Sequence, residues 1–265
     1  MAKRNIVLAI IAILILAGSG VFLYNRLSPE EIEDPLLRKI KERGEIVVGT
    51  DATYAPMESI DEQGNFLGMD IDIAKQIAAD FGVEVKFVNI IWEEIFDAVR
   101  EGEVDVIISS ITITPERAET MSFSDPYFNA GQVIVIRTEK KEIIKGTEDF
   151  WGHSLGVQIE TTSEVEAKKY ASDPSLVRSY ENYDLAKEDL MKGEIDVIII
   201  DYPAAVGMVA GEEGLQIVGE PFTQEFYGAA VQKDQKALLS QINKTIRRLK
   251  QEGELNRLEE KWLGQ

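Results

Sequence analysis

The stretch FDAVREGEVDVII at residues 96–108 decides the fold, because KEDLMKGEIDVII repeats its pattern 91 positions later, at residues 187–199. In each copy a helical pattern stops at a glycine, and after two more residues an apolar, β-branched run begins. Glycine suits the position just past a helix end, and a continuous apolar run is typical of a strand buried in a parallel sheet. The repeat therefore predicts two structural units that share one plan.

Strand and helix patterns alternate on both sides of each copy. The first unit is predicted to contain strands at 45–49, 84–88 and 104–109 and helices at 71–81 and 92–100. The second is predicted to contain strands at 154–157, 176–179 and 195–200 and helices at 163–170, 185–192 and 204–209. A strand at 227–231 and helices at 236–252 and 254–263 are expected to complete the first unit. Such alternation indicates βαβ units.

The chain is therefore expected to be an α/β protein of two lobes, each a mostly parallel sheet flanked by helices, preceded by an N-terminal transmembrane or signal helix. The predicted segments are an anchor or signal at 1–28, a stalk and first helix at 29–44, lobe 1 at 45–132, lobe 2 at 133–224, and a return to lobe 1 at 225–265. The two lobes should be joined near residues 129–138 and 224–231.

The N-terminus points to export from the cytoplasm. Residues 6–24 carry no charge and follow Lys3 and Arg4, so the run could span a bilayer or form the core of an export signal. Ser19 stands where a similar lipoprotein signal would have cysteine, and the chain has no cysteine at all. We therefore expect an extracytoplasmic protein tethered by an uncleaved helix, with signal cleavage as the alternative.

Charge and composition exclude several classes of partner. The net charge is -19, and the three basic residues of segment 1–28 leave the rest still more acidic, so nucleic acid is not an expected partner. No glycine-rich phosphate loop, His/Cys metal cluster or Ser-His-Asp arrangement is present, and no metal or cofactor is expected.

Polar residues follow the repeated strands, where parallel sheets bind ligands beyond their carboxyl ends. After the first strand, Thr114 and Pro115 predict the start of a helix whose free N–H groups favour an anion. Ser110, Thr112 and Arg117 could then bind a carboxylate through hydroxyls and a bidentate guanidinium. The alternative is an ordinary surface turn that carries an arginine.

Asp201 ends the second repeated strand and precedes the next predicted helix. It could cap that helix, or it could bind an ammonium group. With Arg117 holding a carboxylate on the opposite lobe, Asp201 would complete recognition of the α-groups of an amino acid. Each charge would then be well paired only when a ligand bridges the lobes.

Two aromatic residues and one more acid lie near the same edge. Tyr54 follows the first strand and Trp92 begins a helix, so they could sandwich a ligand side chain, although core packing is the alternative. Asp51, at a strand end, could recognise a polar or cationic side chain.

Four runs, at 48–58, 68–72, 109–117 and 123–127, resemble the polar-amino-acid-binding proteins of bacterial ABC importers, solute-binding protein family 3. The resemblance covers residues 45–263. It implies a type II periplasmic-binding-protein fold, a free L-amino acid as ligand, the importer's transmembrane subunits as partners, hinge closure and a monomer. The family binds glutamine, arginine, lysine, ornithine or histidine, and Asp51 with the acidic surface slightly favours arginine here.

The resemblance also implies roles for particular residues. Arg117 would clamp the α-carboxylate with Ser110, Thr112 and the backbone near Thr162, and Asp201 would bind the α-ammonium group. Side-chain specificity would involve Asp51, Ser109 and Gln158, with Tyr54 and Trp92 stacked around the ligand.

Two other classes remain open. Exported dehydratases and lyases share this fold and need a general acid or base in the cleft. His153, the single histidine, is expected in a loop or at the surface, and Glu160 fits a solvated loop better than a catalytic position. We therefore expect no enzymatic activity. A ligand-sensing accessory protein would need a separate signalling chain.

Overall fold

The structure of the protein is a computed structural model that describes residues 34–264. The predicted anchor or signal at 1–28 and the stalk up to residue 33 lie outside the described residues. Within 34–264 none of the helices combines the length and apolar character needed to cross a membrane.

Short strands and medium-length helices alternate along the described chain. The helices are α1 (Pro35–Arg43), α2 (Met69–Phe81), α3 (Trp92–Glu101), α4 (Pro115–Thr120), α5 (Thr162–Tyr170), α6 (Tyr183–Lys192), α7 (Tyr202–Val209), α8 (Lys236–Gln251) and α9 (Glu254–Leu263). The strands are β1 (Glu45–Thr50), β2 (Thr53–Tyr54), β3 (Glu58–Ile60), β4 (Phe66–Leu67), β5 (Glu84–Asn89), β6 (Val106–Ile107), β7 (Met121–Phe123), β8 (Phe128–Asn129), β9 (Gln132–Arg137), β10 (Leu155–Gln158), β11 (Val177–Tyr180), β12 (Val197–Asp201), β13 (Leu215–Val218), β14 (Phe226–Tyr227) and β15 (Ala230–Gln232).

Two five-stranded sheets form the centres of two lobes. The sheet of lobe 1 has the order β5-β1-β6-β15-β7, and the sheet of lobe 2 has the order β11-β10-β12-β9-β13. In each sheet the first three strands are parallel and the last two join in antiparallel pairing. The sequence prediction of a two-lobed α/β fold is confirmed.

The internal repeat occupies equivalent places in the two lobes. Helix α3 ends at Gly102 with φ 77°, and helix α6 ends at Gly193 with φ 82°, and both glycine N–H groups close the last helical turn. Strands β6 and β12 follow, each third in its sheet. Left-handed backbone favours glycine, so the repeated Gly-Glu-Val/Ile-Asp sequence sets the same sharp turn twice.

Strand β12 is buried on both faces, as its apolar sequence predicts. Ile198 and Ile200 pack in one apolar cluster with helices α6 and α7, whereas Val197 and Ile199 pack in a second cluster on the other face. Only Asp201 breaks this run, and the strand ends there.

The predicted strand at 227–231 is divided. Residues 226–227 pair with β8, whereas residues 230–232 pair with β6 and β7 in the sheet of lobe 1. Strand β9, which begins only three residues after β8, pairs along its length with β12 in lobe 2. The chain thus passes between the lobes on either side of the β8–β14 pair. The domain boundaries proposed from the sequence stay a prediction.

Candidate ligand-binding site

A cavity lies between the two lobes. It is lined by Asp51, Tyr54, Glu58, Trp92, Ser109, Ser110, Thr112, Arg117, Gln158, Thr161, Thr162, Ser163, Tyr183 and Asp201. All ten residues selected from the sequence are among them, drawn from both lobes. Their contact with a ligand stays a prediction.

Arg117 is held over aromatic rings in lobe 1. Helix α4 begins as predicted, with the Thr114 hydroxyl accepting the Arg117 N–H at 3.1 Å. The guanidinium lies 5.4 Å from the ring centre of Trp92 and 5.0 Å from that of Phe96. It donates to the carbonyl oxygens of Thr112 at 3.0 Å and, across the cleft, of Glu160 at 3.4 Å. Burial lowers the pKa of Arg117 to about 10, so the group stays charged at neutral pH.

Asp201 lies in lobe 2 with part of its bonding capacity unused. It stands at the N-cap position of α7, yet its side chain makes no capping hydrogen bond. One carboxyl oxygen accepts the Tyr227 hydroxyl at 2.5 Å, and the other is buried without a partner among the described residues. Burial raises the pKa of Asp201 to about 7, and Arg117 opposes that rise. A cation at the free oxygen would stabilise the ionised form.

The N-terminus of helix α5 also faces the cavity. Thr161 caps the helix by accepting the Glu164 N–H at 3.2 Å, and Thr161, Thr162 and Ser163 line the wall. The Gln158 side chain donates to the Glu181 carbonyl at 2.9 Å. Backbone N–H groups at a helix N-terminus favour an anion, and this one lies on the lobe opposite Arg117.

Ser109 and Ser110 are bound to buried carboxyl groups. The Ser109 hydroxyl donates to Glu58 at 2.9 Å and accepts the Asp51 N–H at 2.9 Å. The Ser110 N–H donates to Asp70 at 2.5 Å, and its backbone adopts φ 50°. Burial, followed by the neighbouring Asp70, raises the pKa of Glu58 well above its usual range.

Asp51 is the third acid on the cavity wall, after Asp201 and Glu58. Its carboxyl accepts the Thr53 hydroxyl at 2.9 Å, and burial raises its pKa. Neither Asp51 nor Glu58 makes an ion pair with a cation among residues 34–264. The cavity therefore has two carboxyl groups near Ser109.

The two aromatic residues pack against other side chains and also line the cavity, and their stacking on a ligand stays a prediction. Trp92 packs in the core of lobe 1 and edge-on against Phe96, yet it also lines the cavity. Its indole N–H is buried with no hydrogen-bond acceptor in the part of the chain that is described. Tyr54 lies across the cleft from Tyr183, with ring centres 5.8 Å apart.

Sequence reasoning missed Glu58, Thr161, Ser163 and Tyr183. Thr161 could have been found, since Thr-x-x-Glu before a helix signals a cap. Glu58 had no comparable local signal.

The acid–base residues weighed from the sequence lie outside the cavity lining. His153 is half-buried, with its Nδ1 3.2 Å from Asp196. The Glu160 side chain is exposed in the loop before α5, as expected. Residues 34–264 contain no cluster of His, Asp and Glu suited to a metal ion.

Two lobes that close a polar cavity between them, with an arginine from one and an aspartate from the other, define a ligand-binding protein. The chain belongs to the bacterial extracellular solute-binding proteins, family 3, whose family model matches residues 46–265.

Relatives support this assignment over nearly the full length. The chain is 32% identical over 262 residues to the ABC transporter glutamine-binding protein GlnH of Bacillus subtilis (strain 168), covering 97% of this chain and 94% of that protein. Among solved structures, the arginine-bound form of truncated ArgBP from T. maritima is 40% identical, with a TM-score of 0.76, 80% of this chain covered and 99% of that one. The ancestral amino acid-binding protein AncCDT-1, a precursor of cyclohexadienyl dehydratase, is 36% identical, with a TM-score of 0.80, 86% of this chain covered and 99% of that one.

Proposed function

We propose that the protein captures a free basic amino acid, with arginine as the best fit, and delivers it to the transmembrane subunits of an ABC importer. The residues proposed to contact the ligand are Asp51, Tyr54, Trp92, Ser109, Ser110, Thr112, Arg117, Gln158, Thr162 and Asp201, together with Glu58.

The observation that carries the proposal is that Arg117 and Asp201 line the same cavity from opposite lobes. A guanidinium over aromatic rings matches an α-carboxylate, and the unpartnered oxygen of Asp201 matches an α-ammonium. The N-terminus of α5 supplies a second, lobe 2 contact for the carboxylate. These three features suit the zwitterionic part that all amino acids share.

The choice of a basic side chain rests on Asp51 and Glu58. Two carboxyl groups on one wall favour a ligand cation, because a neutral side chain would leave any ionised carboxylate without compensation. Glutamine, the ligand in the name of the Bacillus relative, would lack this charge match. The arginine bound by ArgBP from T. maritima would provide it.

Binding is proposed to be coupled to closure of the lobes about the β8–β14 pair. The Arg117 guanidinium reaches the Glu160 carbonyl of lobe 2 in the closed arrangement. A ligand held by Arg117 on one side and Asp201 on the other would stabilise that arrangement and not the open one. Closure would thus report occupancy to the importer.

Family membership and the N-terminal sequence support a proposal for location and assembly. The protein is proposed to work as a monomer outside the cytoplasmic membrane, tethered through residues 1–28 unless they are cleaved. A tether would raise its effective concentration near the importer.

The test is a thermal-shift screen of the chain without residues 1–28 against the common amino acids, ornithine and citrulline, followed by calorimetry. Arginine at about 100 times its dissociation constant should add about 2.7 kcal/mol to the free energy of unfolding. Citrulline matches arginine in shape but lacks the charge, so it should bind at least about tenfold more weakly. Equal binding of the two would contradict a basic-ligand site.

A second candidate function is dehydratase-type catalysis. The buried carboxyl groups of Glu58 and Asp201, with raised pKa values, are the groups that could act as acids, and AncCDT-1 is a precursor of a dehydratase. We favour binding without turnover. Incubation of the protein with each ligand found in the screen, followed by mass spectrometry, should return that ligand unchanged.

A further inference from the structure

A second buried acid, Asp70, lies behind the cavity wall and does not itself line the cavity. Asp70 is in the first turn of α2 and is fully buried, whereas the buried Glu58 of β3 lines the cavity. The Ser110 hydroxyl oxygen joins the two acids, because it lies 3.3 Å from Oε2 of Glu58 and 3.3 Å from Oδ2 of Asp70. Among residues 34–264 no ion pair links a lysine or arginine to either carboxyl group. Ionising both groups would therefore be costly.

The hydrogen-bond donors are divided unequally between the two carboxyl groups. Oδ2 of Asp70 accepts the Ser110 N–H at 2.5 Å and the Tyr127 hydroxyl at 2.9 Å. Apart from Ser110, the donor to Glu58 in the described chain is the Ser109 hydroxyl, at 2.9 Å. Donors stabilise a carboxylate, so Asp70 is the better place for a single negative charge. Oδ1 of Asp70 is buried without a partner among the described residues, so nothing there offsets a second charge.

One arrangement of protons satisfies Ser110 and both of its carboxyl neighbours. A hydroxyl donates one proton and accepts through its lone pairs. When Ser110 donates to an ionised Asp70, its oxygen can accept from Glu58 only if Glu58 carries a proton. The hydrogen bonds then run from Glu58 to Ser110 to Asp70. Burial raises the pKa of Glu58 well above its usual range and that of Asp70 to about 6, which agrees with a proton kept on Glu58.

The surroundings of Glu58 supply no positive charge to replace that proton. Arg117 is the one cation among the described residues that line the cavity, and its guanidinium donates to carbonyl oxygens. A ligand cation that reaches Glu58 would therefore compete with the proton for the same carboxyl group. The titratable groups that face Glu58 are Asp51 after β1, Tyr54 of β2, Asp70 of α2, Tyr127 before β8 and Tyr227 of β14.

We propose that Asp70 is a positioning residue for ligand specificity: acting through the Ser110 hydroxyl, it keeps Glu58 protonated before binding, and Glu58 releases that proton when the cationic side chain of the ligand reaches it. The inference rests on the proposed function. The proton leaves the Glu58 carboxyl group for solvent, and the resulting carboxylate pairs with the ligand cation. Ser110 keeps its own proton directed to Asp70 throughout. A neutral side chain would leave the proton on Glu58.

Proton release makes arginine affinity depend on pH. Binding that releases a proton strengthens as pH rises toward the pKa of Glu58 in the unliganded protein, by at most about tenfold per pH unit. Asp201 acts in the same direction, since the ligand ammonium favours its ionised form. A comparison between variants that share Asp201 therefore isolates the contribution of Glu58.

The experiment is calorimetry of arginine binding between about pH 5.5 and pH 8.5, in pairs of buffers with different ionisation enthalpies, which yields the number of protons released. It is run on the wild type, Glu58→Gln, Asp70→Asn and Asp70→Ser. Glu62→Gln, an exposed acid in the turn between β3 and β4, is the matched control. Both Asp70 variants lack the second carboxyl group, so a folding failure in one leaves the other to decide.

Glu58→Gln should release fewer protons than the wild type, by up to one, and its affinity relative to wild type should fall as pH rises. The Asp70 variants should also release fewer protons, because Glu58 is then ionised before the ligand arrives. Their affinity relative to wild type should be highest at the lowest pH. Glu62→Gln should match the wild type.

Equal proton release in the wild type and all variants, or changes in affinity that are the same at every pH, would overturn the proposal in favour of a purely structural pair. A deficit of protons confined to Glu58→Gln would refute the role of Asp70. Absence of any amino-acid binding by the wild type would instead refute the proposed function, and this inference with it.

Discussion

The Arg117 side chain provides a positive charge and a planar guanidinium with several donors, and the role of the planar group can be tested separately from the charge. Its guanidinium stacks on Trp92 and Phe96 while two of its nitrogens donate to carbonyl oxygens. Arg117→Lys keeps the charge but loses the planar fork and the stacking. We expect arginine affinity to fall at least about thirtyfold, since truncating a buried charged partner costs about 2–5 kcal/mol.

Calorimetry measures this loss, and the melting temperature without ligand shows whether the fold is retained. The control is Arg247→Lys, an exposed arginine paired with Asp125. Affinity unchanged in Arg117→Lys would exclude a bidentate clamp at this position.

The raised pKa of Asp201 predicts that the folding stability of the unliganded protein depends on pH. Its pKa rises on folding from 3.8 to about 7, so the unfolded chain ionises first and folded stability falls as pH rises between these values. Asp201→Asn removes this loss. The free energy of unfolding of this variant should differ little from that of the wild type near pH 4. At pH 7 and above it should be higher than that of the wild type by on the order of a few kcal/mol.

Chemical denaturation at pH 4, 5.5 and 7.5 tests this expectation. The variant should also lose amino-acid binding, because an amide cannot pair with an ammonium as a carboxylate does. A stability difference that does not change with pH would mean that Asp201 is already ionised in the unliganded fold.

The residues of the site were more predictable than their bonding. The strand-end rule placed Ser110 and Arg117 beyond the first repeated strand and Asp201 at the end of the second, because the carboxyl ends of parallel strands form the ligand-binding edge of each sheet. Glu58 was missed because its burial depends on Ser109 and Ser110, which lie 51 and 52 positions away in the sequence. No local pattern carries such information.

Helix α7 lies very close to the opposite lobe at Gly207. A Cβ atom added at Gly207 would lie 2.5 Å from the Ala55 carbonyl oxygen and 2.8 Å from Cδ of Pro56, on the opposite lobe. Gly207→Ala should hold the lobes apart and weaken ligand binding by at least about tenfold, while the helix itself gains about 0.5–1 kcal/mol from alanine. Ligand affinity and unfolding free energy should therefore move in opposite directions.

The control for Gly207→Ala is Gly214→Ala, a position after the end of α7. There the added Cβ would meet only Met191, within the same lobe, at an ordinary contact distance of 3.4 Å. Calorimetry of ligand binding and chemical denaturation of both variants distinguish an effect on lobe closure from an effect on folding stability. Wild-type affinity in Gly207→Ala would show that this contact does not limit closure.

Elements were predictable where the sequence had a long periodic pattern. Helix α9, the helices of the repeat and its second strand matched closely, because each carries a full amphipathic or apolar run. The first strand of the repeat, predicted at 104–109, is shorter in the structure, where β6 spans only Val106–Ile107. Strands β2, β3 and β4 have two or three residues and no usable period. Strand β9 was read as part of a connection, since an apolar run cannot reveal which lobe it joins.

The two lobes together are expected to behave as a hinge with a ligand-dependent angle. The chain has no cysteine, so a pair of introduced cysteines takes spin labels at defined positions only. Ile60 of lobe 1 and Asp184 of lobe 2 are exposed and lie on a groove formed by both lobes. In Ile60→Cys with Asp184→Cys, arginine should shorten and narrow the distribution of distances between the labels.

The reason is that the ligand bridges Arg117 and Asp201 only when the lobes are closed, so it shifts the population toward that arrangement. A pair within lobe 2, Lys168→Cys with Asp184→Cys, should give the same distances with and without arginine. If the distances between the labels on the two lobes stay unchanged at saturating arginine, binding does not close the lobes. The coupling between the two would then have to lie in the importer and not in this protein.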